Sequence, residues 1–251
     1  MGVSECSECS PDGQDFDQKT GLCGFLPEDW YPQYKTVHKE QPEQWLFDAR
    51  CLRLDPPTDD VDLECRELIR LQEDRIDAQV GQITSQAINP MSAFTPLARA
   101  LALQSYYSVK VKPRDDLFNL IIDNIRPPTF LFKCRYLRAR PFRMRLGKIK
   151  PVFSVGDEFY PGHPSYPSGH ASQAFTWAYL LSAKLHPDHR YLDAYLLGAA
   201  RSVARNREWA GLHFASDTRA GESLGKQIAE AILREDTLAD EDFKLLMPGL
   251  T

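Results

Sequence analysis

From Thr58 to about residue 235 the apolar residues of this chain recur at helical spacing, and no stretch of useful length alternates as a strand would. That pattern limits the chain to helices packed on helices. The first stretch, TDDVDLECRELIRLQEDRIDAQVGQI, opens with a capping residue and acids, and sets Val61, Cys65, Leu68, Ile76, Val80 and Ile83 near one face. Residues 91–108 form a second helix, apolar on several sides. Residues 115–125 form a third, stopped by Pro127 and Pro128, and residues 129–140 a fourth, stopped by Pro141. Three more are expected at 169–185, 188–209 and 214–234, with a short one near 240–246. The expected fold class is therefore all-α, a single-domain helical bundle over 58–251. Residues 1–57 carry many prolines and no apolar period, yet hold Trp30, Tyr31, Tyr34, Trp45 and Phe47. They are expected to wrap over the core as an irregular extension.

Composition narrows the function classes. At 43% hydrophobic and 26% charged residues the chain is globular, and a net charge of −5 disfavours a nucleic-acid or anionic-membrane surface. Any bound anion must be held by a local cluster of cations. No run approaches the roughly eighteen uninterrupted apolar residues of a membrane span. The N-terminus, MGVSECSECSPDG, has neither a basic start nor an apolar run. The expectation is a cytoplasmic protein with no integral membrane association. The lone C-x-x-C at Cys6 and Cys9 lacks a second pair at zinc spacing, so free thiols are expected.

Three stretches could carry chemistry. Pro167-Ser168-Gly169-His170 stands where a proline-rich loop, 142–167, meets a helix. A helix N-terminus offers unpaired N–H groups to an anion, Ser168 adds a hydroxyl, and His170 can move a proton near neutral pH. Taken alone, the same residues describe a serine-capped helix with a surface histidine. Next, Leu192, Leu196, Ala199 and Val203 share a face on which Arg207 is the following position. A core-facing arginine needs a partner or a route to water. His213 and Asp217 are four apart, one helical turn, so carboxylate and imidazole can pair. Such a pair fixes the tautomer and frees the other ring nitrogen, although a lone pair is more often superficial. Last, Lys133 and Arg140 lie seven apart, two turns of the 129–140 helix. Around them Arg135, Arg138, Arg143, Arg145, Lys148 and Lys150 crowd one region, and some must simply be solvated.

In this order the three pieces resemble the signature of the type 2 phosphatidic acid phosphatase (PAP2) superfamily: K-x6-R-P, P-S-G-H and S-R-x5-H-x3-D. The resemblance spans roughly 58–235 and looks most like the soluble bacterial class A nonspecific acid phosphatases. Asn206 departs from the serine usual before the arginine, which implies altered bonding around the site. Those phosphatases are exported, whereas no export signal is read here. The resemblance implies that Lys133, Arg140 and Arg207, with Ser168 and Gly169, hold the phosphoryl oxygens. It implies further that His213 attacks phosphorus, Asp217 orients it, and His170 protonates the leaving alcohol and then activates water. A small phosphorylated substrate, no metal and no cofactor are expected, in a monomer or a homo-oligomer. The rival is a vanadium-dependent haloperoxidase, which resembles the same scaffold and holds vanadate. His163, in HPSYPSGH, is the accessory residue that this rival would use near the site; otherwise it is a loop histidine.

Overall fold

The computed structural model describes residues 51–57, 60–88, 90–94, 115–144, 148–153, 161–184, 187–236 and 238. All elements among them are helical: α1 (Val61–Glu73), α2 (Asp77–Ile88), a 3-10 turn (Pro90–Phe94), α3 (Asp115–Tyr136), α4 (Pro141–Met144), α5 (Gly169–Lys184), a second 3-10 turn (Pro187–Leu192), α6 (Asp193–Trp209) and α7 (Ala215–Glu235). The all-α class is as expected. The helix near 240–246 and most of 91–108 lie outside the described residues, as do residues 1–50.

Two expected boundaries differ. The first stretch is two helices, broken at Asp74-Arg75-Ile76. Asp60 caps α1 by accepting from Leu63 N at 3.0 Å, and the Gln79 side chain accepts from Ile76 N at 3.0 Å to start α2. The break lets Arg75 donate to Trp209 O at 3.0 Å, and it turns Ile76 out to solvent. Val61, Cys65, Leu68 and Ile83 are buried, as the helical period predicts.

The second difference is α3, which runs unbroken through Pro127-Pro128. Each proline removes an N–H, which leaves the carbonyls of Asp123 and Asn124 without their helical donors. Thr129 Oγ1 donates to Ile125 O at 2.8 Å at the same turn. Burial outweighs the loss: Ile121, Ile122 and Ile125 before the prolines and Phe132 after them share one core cluster. The helix then stops at Tyr136, four residues earlier than expected, where Leu137 takes a left-handed φ of 46°. Lys133 and Arg140 therefore do not share a helix face.

The core has two parts. One is built from α3, α5, α6 and α7; the other from α1, Ile83, Phe142, Ile149, Phe153 and the 210–214 turn. Residues 51–57 lie against the first. Leu52 is buried there, Arg53 and Gln227 exchange bonds at 2.8 and 2.7 Å, and Tyr136 donates to Leu54 O at 2.6 Å. No helix among the described residues is long and apolar enough to cross a membrane.

Helices α5 and α7 touch backbone to backbone through Gly221 and Gly225. A Cβ on Gly225 would lie 2.7 Å from Ser172 O and 2.9 Å from Phe175 Cβ. Gly225→Ala is expected to destabilise the fold by about 1–3 kcal/mol through overpacking. Thermal unfolding checks this; an unchanged midpoint would mean that the helices separate freely.

Candidate active site

Helix ends, rather than helix faces, build the site. The last turn of α3 brings Lys133, the link 137–140 brings Arg140, the first turn of α5 brings Gly169 and His170, the last turn of α6 brings Arg207, and the turn before α7 brings His213. All six line one cavity of about 330 Å³, with His163, Phe130, Gln173 and Arg126 among its other walls. Residues up to 80 apart in sequence thus converge as the motif order suggests.

His213 sits just before α7, as the expected helix at 214–234 places it, and reaches its partner one turn on. Its Nδ1 lies 3.2 Å from Asp217 Oδ2, which also accepts from Phe214 N at 2.9 Å. Arg138 donates to Asp217 Oδ1 at 2.7 Å. Burial alone would raise the Asp217 carboxyl, but Arg138, with the bonds from His213 and Phe214, holds it below the usual carboxylate range. An ionised Asp217 accepts a hydrogen bond from Nδ1–H, which leaves Nε2 as the ring's acceptor. Nε2 faces Arg140 Nη1 at 2.8 Å. Burial first, and Arg140 next, depress the His213 pKa well below its ordinary value, so the ring is neutral.

The cations differ in what they hold. Arg140 also donates through Nε to His163 O at 2.9 Å and through Nη1 to Leu212 O at 2.9 Å. Arg207 is 1% exposed, fulfilling the expectation of a core-facing arginine. Its Nη2 donates to Ile83 O at 2.8 Å, its buried Nε has no hydrogen-bond partner, and no carboxylate among the described residues pairs with it. Burial pushes its pKa down to about 10. Lys133 gives its ammonium protons to the carbonyls of Pro164, Ser165 and Pro167 at 2.8, 3.2 and 2.6 Å. It shapes the 164–167 loop; burial first, and Arg140 next, push its pKa well below the ordinary lysine value, against which the three carbonyls favour the ammonium form.

The loop residues divide similarly. Ser168 is wholly buried and does not line the cavity; its Oγ accepts from Ala171 N at 3.4 Å, and its N–H donates to Asp217 O at 2.9 Å. Helix capping, the plainer of its two sequence readings, is what the structure shows. His170 faces the cavity, with Nε2 3.2 Å from Ala87 O. Burial, then Arg207, push its pKa down to about 3. His163 is inside the site, with Nδ1 3.1 Å from Arg140 Nη2 and its ring edge-on to Phe130 at 5.3 Å. Burial first, then Lys133 and Arg140, keep it neutral.

Sequence reasoning missed two participants. Arg138, grouped with solvated cations, is 1% exposed and bridges Asp217 and Glu64, with its guanidinium 4.2 Å over the Phe214 ring. Nothing in its basic surroundings marks it. Glu64 could have been found, because it lies on the α1 stripe between Val61 and Leu68. Asn206, at the position of the family serine, donates to Gln86 Oε1 at 2.8 Å and ties α6 to α2.

Helix ends among the described residues thus surround a pocket lined by four basic side chains, Arg126, Lys133, Arg140 and Arg207, and three histidines, with the Asp217 carboxylate buried behind His213. Residues 117–234 match the PAP2 superfamily model, the superfamily whose signature the three motifs resemble. Among solved structures, a transmembrane PAP2 type phosphatidylglycerolphosphate phosphatase from Bacillus subtilis is similar, at 19% identity and a TM-score of 0.49, over 83% of this chain and 94% of that one. None of the curated proteins matches.

Proposed function

We propose that this protein is a phosphomonoester hydrolase that works through a phosphohistidine on His213, with a small phosphorylated compound as substrate and no metal in the reaction. The carrying observation is the buried line Arg138–Asp217–His213, which makes Nε2 the ring's acceptor; it faces Arg140 Nη1 at 2.8 Å at the cavity wall, and an arriving phosphoryl group must draw Arg140 onto its own oxygens. Arg140 and Arg207 neutralise the phosphoryl oxygens, and the unpartnered Arg207 Nε is a donor suited to one of them. Lys133 contributes charge, and Gly169 opens α5 at the cavity so that its N-terminal dipole favours the anion. Three fixed cations then do what a metal ion does in other phosphoryl transfers.

In the first step Nε2 bonds to phosphorus as the ester oxygen leaves. Asp217 stabilises the positive charge that the ring gains. The leaving oxygen takes a proton from His170. His170 is neutral beside Arg207, Arg140 and Lys133, so it must gain that proton as the phosphate arrives. A phosphate dianion offsets those cations and favours this protonation. In the second step His170 takes a proton from water, whose oxygen attacks phosphorus and releases His213. General acid–base help of this kind contributes typically about 10²–10⁴-fold.

The test is phosphate release from p-nitrophenyl phosphate between pH 5 and 8, followed by a mass-spectrometric search of rapidly quenched protein for an acid-labile phosphate on His213. Release blocked by vanadate, with His213 labelled, is the expected result. No release, followed by peroxide-dependent bromination once vanadate is supplied, would move the protein to the haloperoxidase reading, with His163 the next residue to change.

A further inference from the structure

Glu64 does not line the cavity, yet it is bonded to the site at every acceptor it has. Oε1 accepts from Ser216 N at 2.8 Å. Oε2 accepts from Ser216 Oγ at 2.9 Å and from Arg138 Nη2 at 2.6 Å. Arg219 approaches Oε1 at 3.9 Å from the solvent side. Arg138 then spends its other nitrogen, Nη1, on Asp217 Oδ1 at 2.7 Å and Ser216 Oγ at 2.6 Å. Glu64, Arg138 and Asp217 are all nearly or fully buried.

We propose that Glu64 is a positioning residue for the nucleophile. Resting on the proposed function, this assigns α1 a role in the chemistry: Glu64 anchors the Arg138 fork, the fork sets the angle of the Asp217 carboxylate, and that carboxylate holds His213 in its Nδ1–H tautomer. The guanidinium is planar and has donors in fixed directions, so two carboxylates on one fork cannot turn independently. The segment 213–217 is held at Phe214, Ser216 and Asp217 by this one assembly. Stability alone is a weak reason for such a group, because buried ion triads are often no better than apolar replacements of the same volume. Carboxylate chemistry is required in particular. Both oxygens face donors, and an amide would turn its NH₂ toward either Ser216 N–H or Arg138.

The test is Glu64→Gln in the full chain, measured three ways. With p-nitrophenyl phosphate, kcat is expected to fall about 10–100-fold, the usual scale for partners that orient a functional histidine from behind. KM and the affinity for inorganic phosphate should stay within about twofold, because no anion-holding group is touched. Ring ¹⁵N shifts of His213 should change from one tautomer to a mixture. Glu64→Asp, which keeps the charge, should lose less. Unchanged kcat with an unchanged tautomer overturns the proposal, and so does an equal loss of kcat and phosphate affinity, which marks a collapsed site. If Glu64→Gln does not fold, Ser216→Ala removes the hydroxyl between Arg138 and Glu64; a several-fold lower kcat at constant KM supports the relay, and no change overturns it. If the wild type releases no phosphate, the hydrolase reading falls, and the His213 nitrogen shifts alone decide whether Glu64 governs the tautomer.

Discussion

Changing His213 to alanine is expected to lower phosphate release about 10⁴-fold or more, the scale on which removal of a covalent nucleophile acts, while inorganic phosphate still binds within about tenfold of the wild type. The two halves of this prediction have separate causes. In the proposed mechanism His213 supplies the attacking nitrogen, with the Asp217 carboxylate behind its ring, whereas His170 Nε2 faces Ala87 O and His163 Nδ1 faces Arg140 and Pro164 O. The anion, by contrast, falls in that mechanism to Arg140, Arg207 and the α5 N-terminus, none of which the substitution touches. Asp217 keeps Arg138 and Phe214 N after the ring is lost, so the site does not unravel. Kinetics beside phosphate calorimetry check both halves. Activity retained at a tenth of wild type would exclude His213 as nucleophile, and phosphate binding lost with activity would show that the ring is needed to shape the site.

Arg138→Ala is expected to have the largest effect on stability, costing about 3–5 kcal/mol near pH 7, because it strands two buried carboxylates. The pH dependence separates this cause from simple loss of volume. In the wild type the depressed Asp217 pKa stabilises the fold above the unfolded carboxylate value of about 3.9 and is lost only as pH falls through the lower folded value. Neutral His163, His170 and His213 act in the same direction: the unfolded chain binds protons they refuse, so stability declines as pH drops below about 6.5. Without Arg138 the Asp217 pKa rises and the carboxylate can become neutral at mild acidity. The gap between variant and wild type should therefore narrow as pH falls from 7 toward 4. Chemical denaturation at several pH values measures it, and a gap constant with pH would point to a cavity effect instead.

Much of this architecture was legible because helical period and chemical type agree. The stripe ending in Arg207, the four-residue step from His213 to Asp217 and the loop-to-helix junction at Gly169-His170 each carry their meaning locally, and Arg207, His213, Gly169 and His170 line one pocket. What escaped is non-local. Pro127-Pro128 reads as a stop, and only tertiary burial of Ile125 and Phe132 on either side carries α3 through it. The seven-residue step from Lys133 to Arg140 reads as two helical turns, yet the chain leaves the helix at Leu137 and brings Arg140 in from another direction. Arg138 and Glu64 are 74 residues apart, and neither has a neighbour in sequence that discloses the other. The α1 stripe marks Glu64 as buried, but no period points from it to Arg138 as its partner.

The seam between the two core clusters has a consequence for cooperativity. Ala210, Leu212 and Phe214, which flank His213, belong with the cluster built on α1, whereas Phe132 beside Lys133 and Ala171 in the first turn of α5 belong with the other. An oxyanion bound in the cavity as proposed would touch both sides and act as a removable rivet. Its binding energy adds to the work of separating the clusters, by RT ln(1 + [L]/Kd) for a ligand that ignores the unfolded chain. Amide exchange in the 210–217 turn and in the first turns of α5 should then slow together when phosphate is added, although the two segments are remote in sequence.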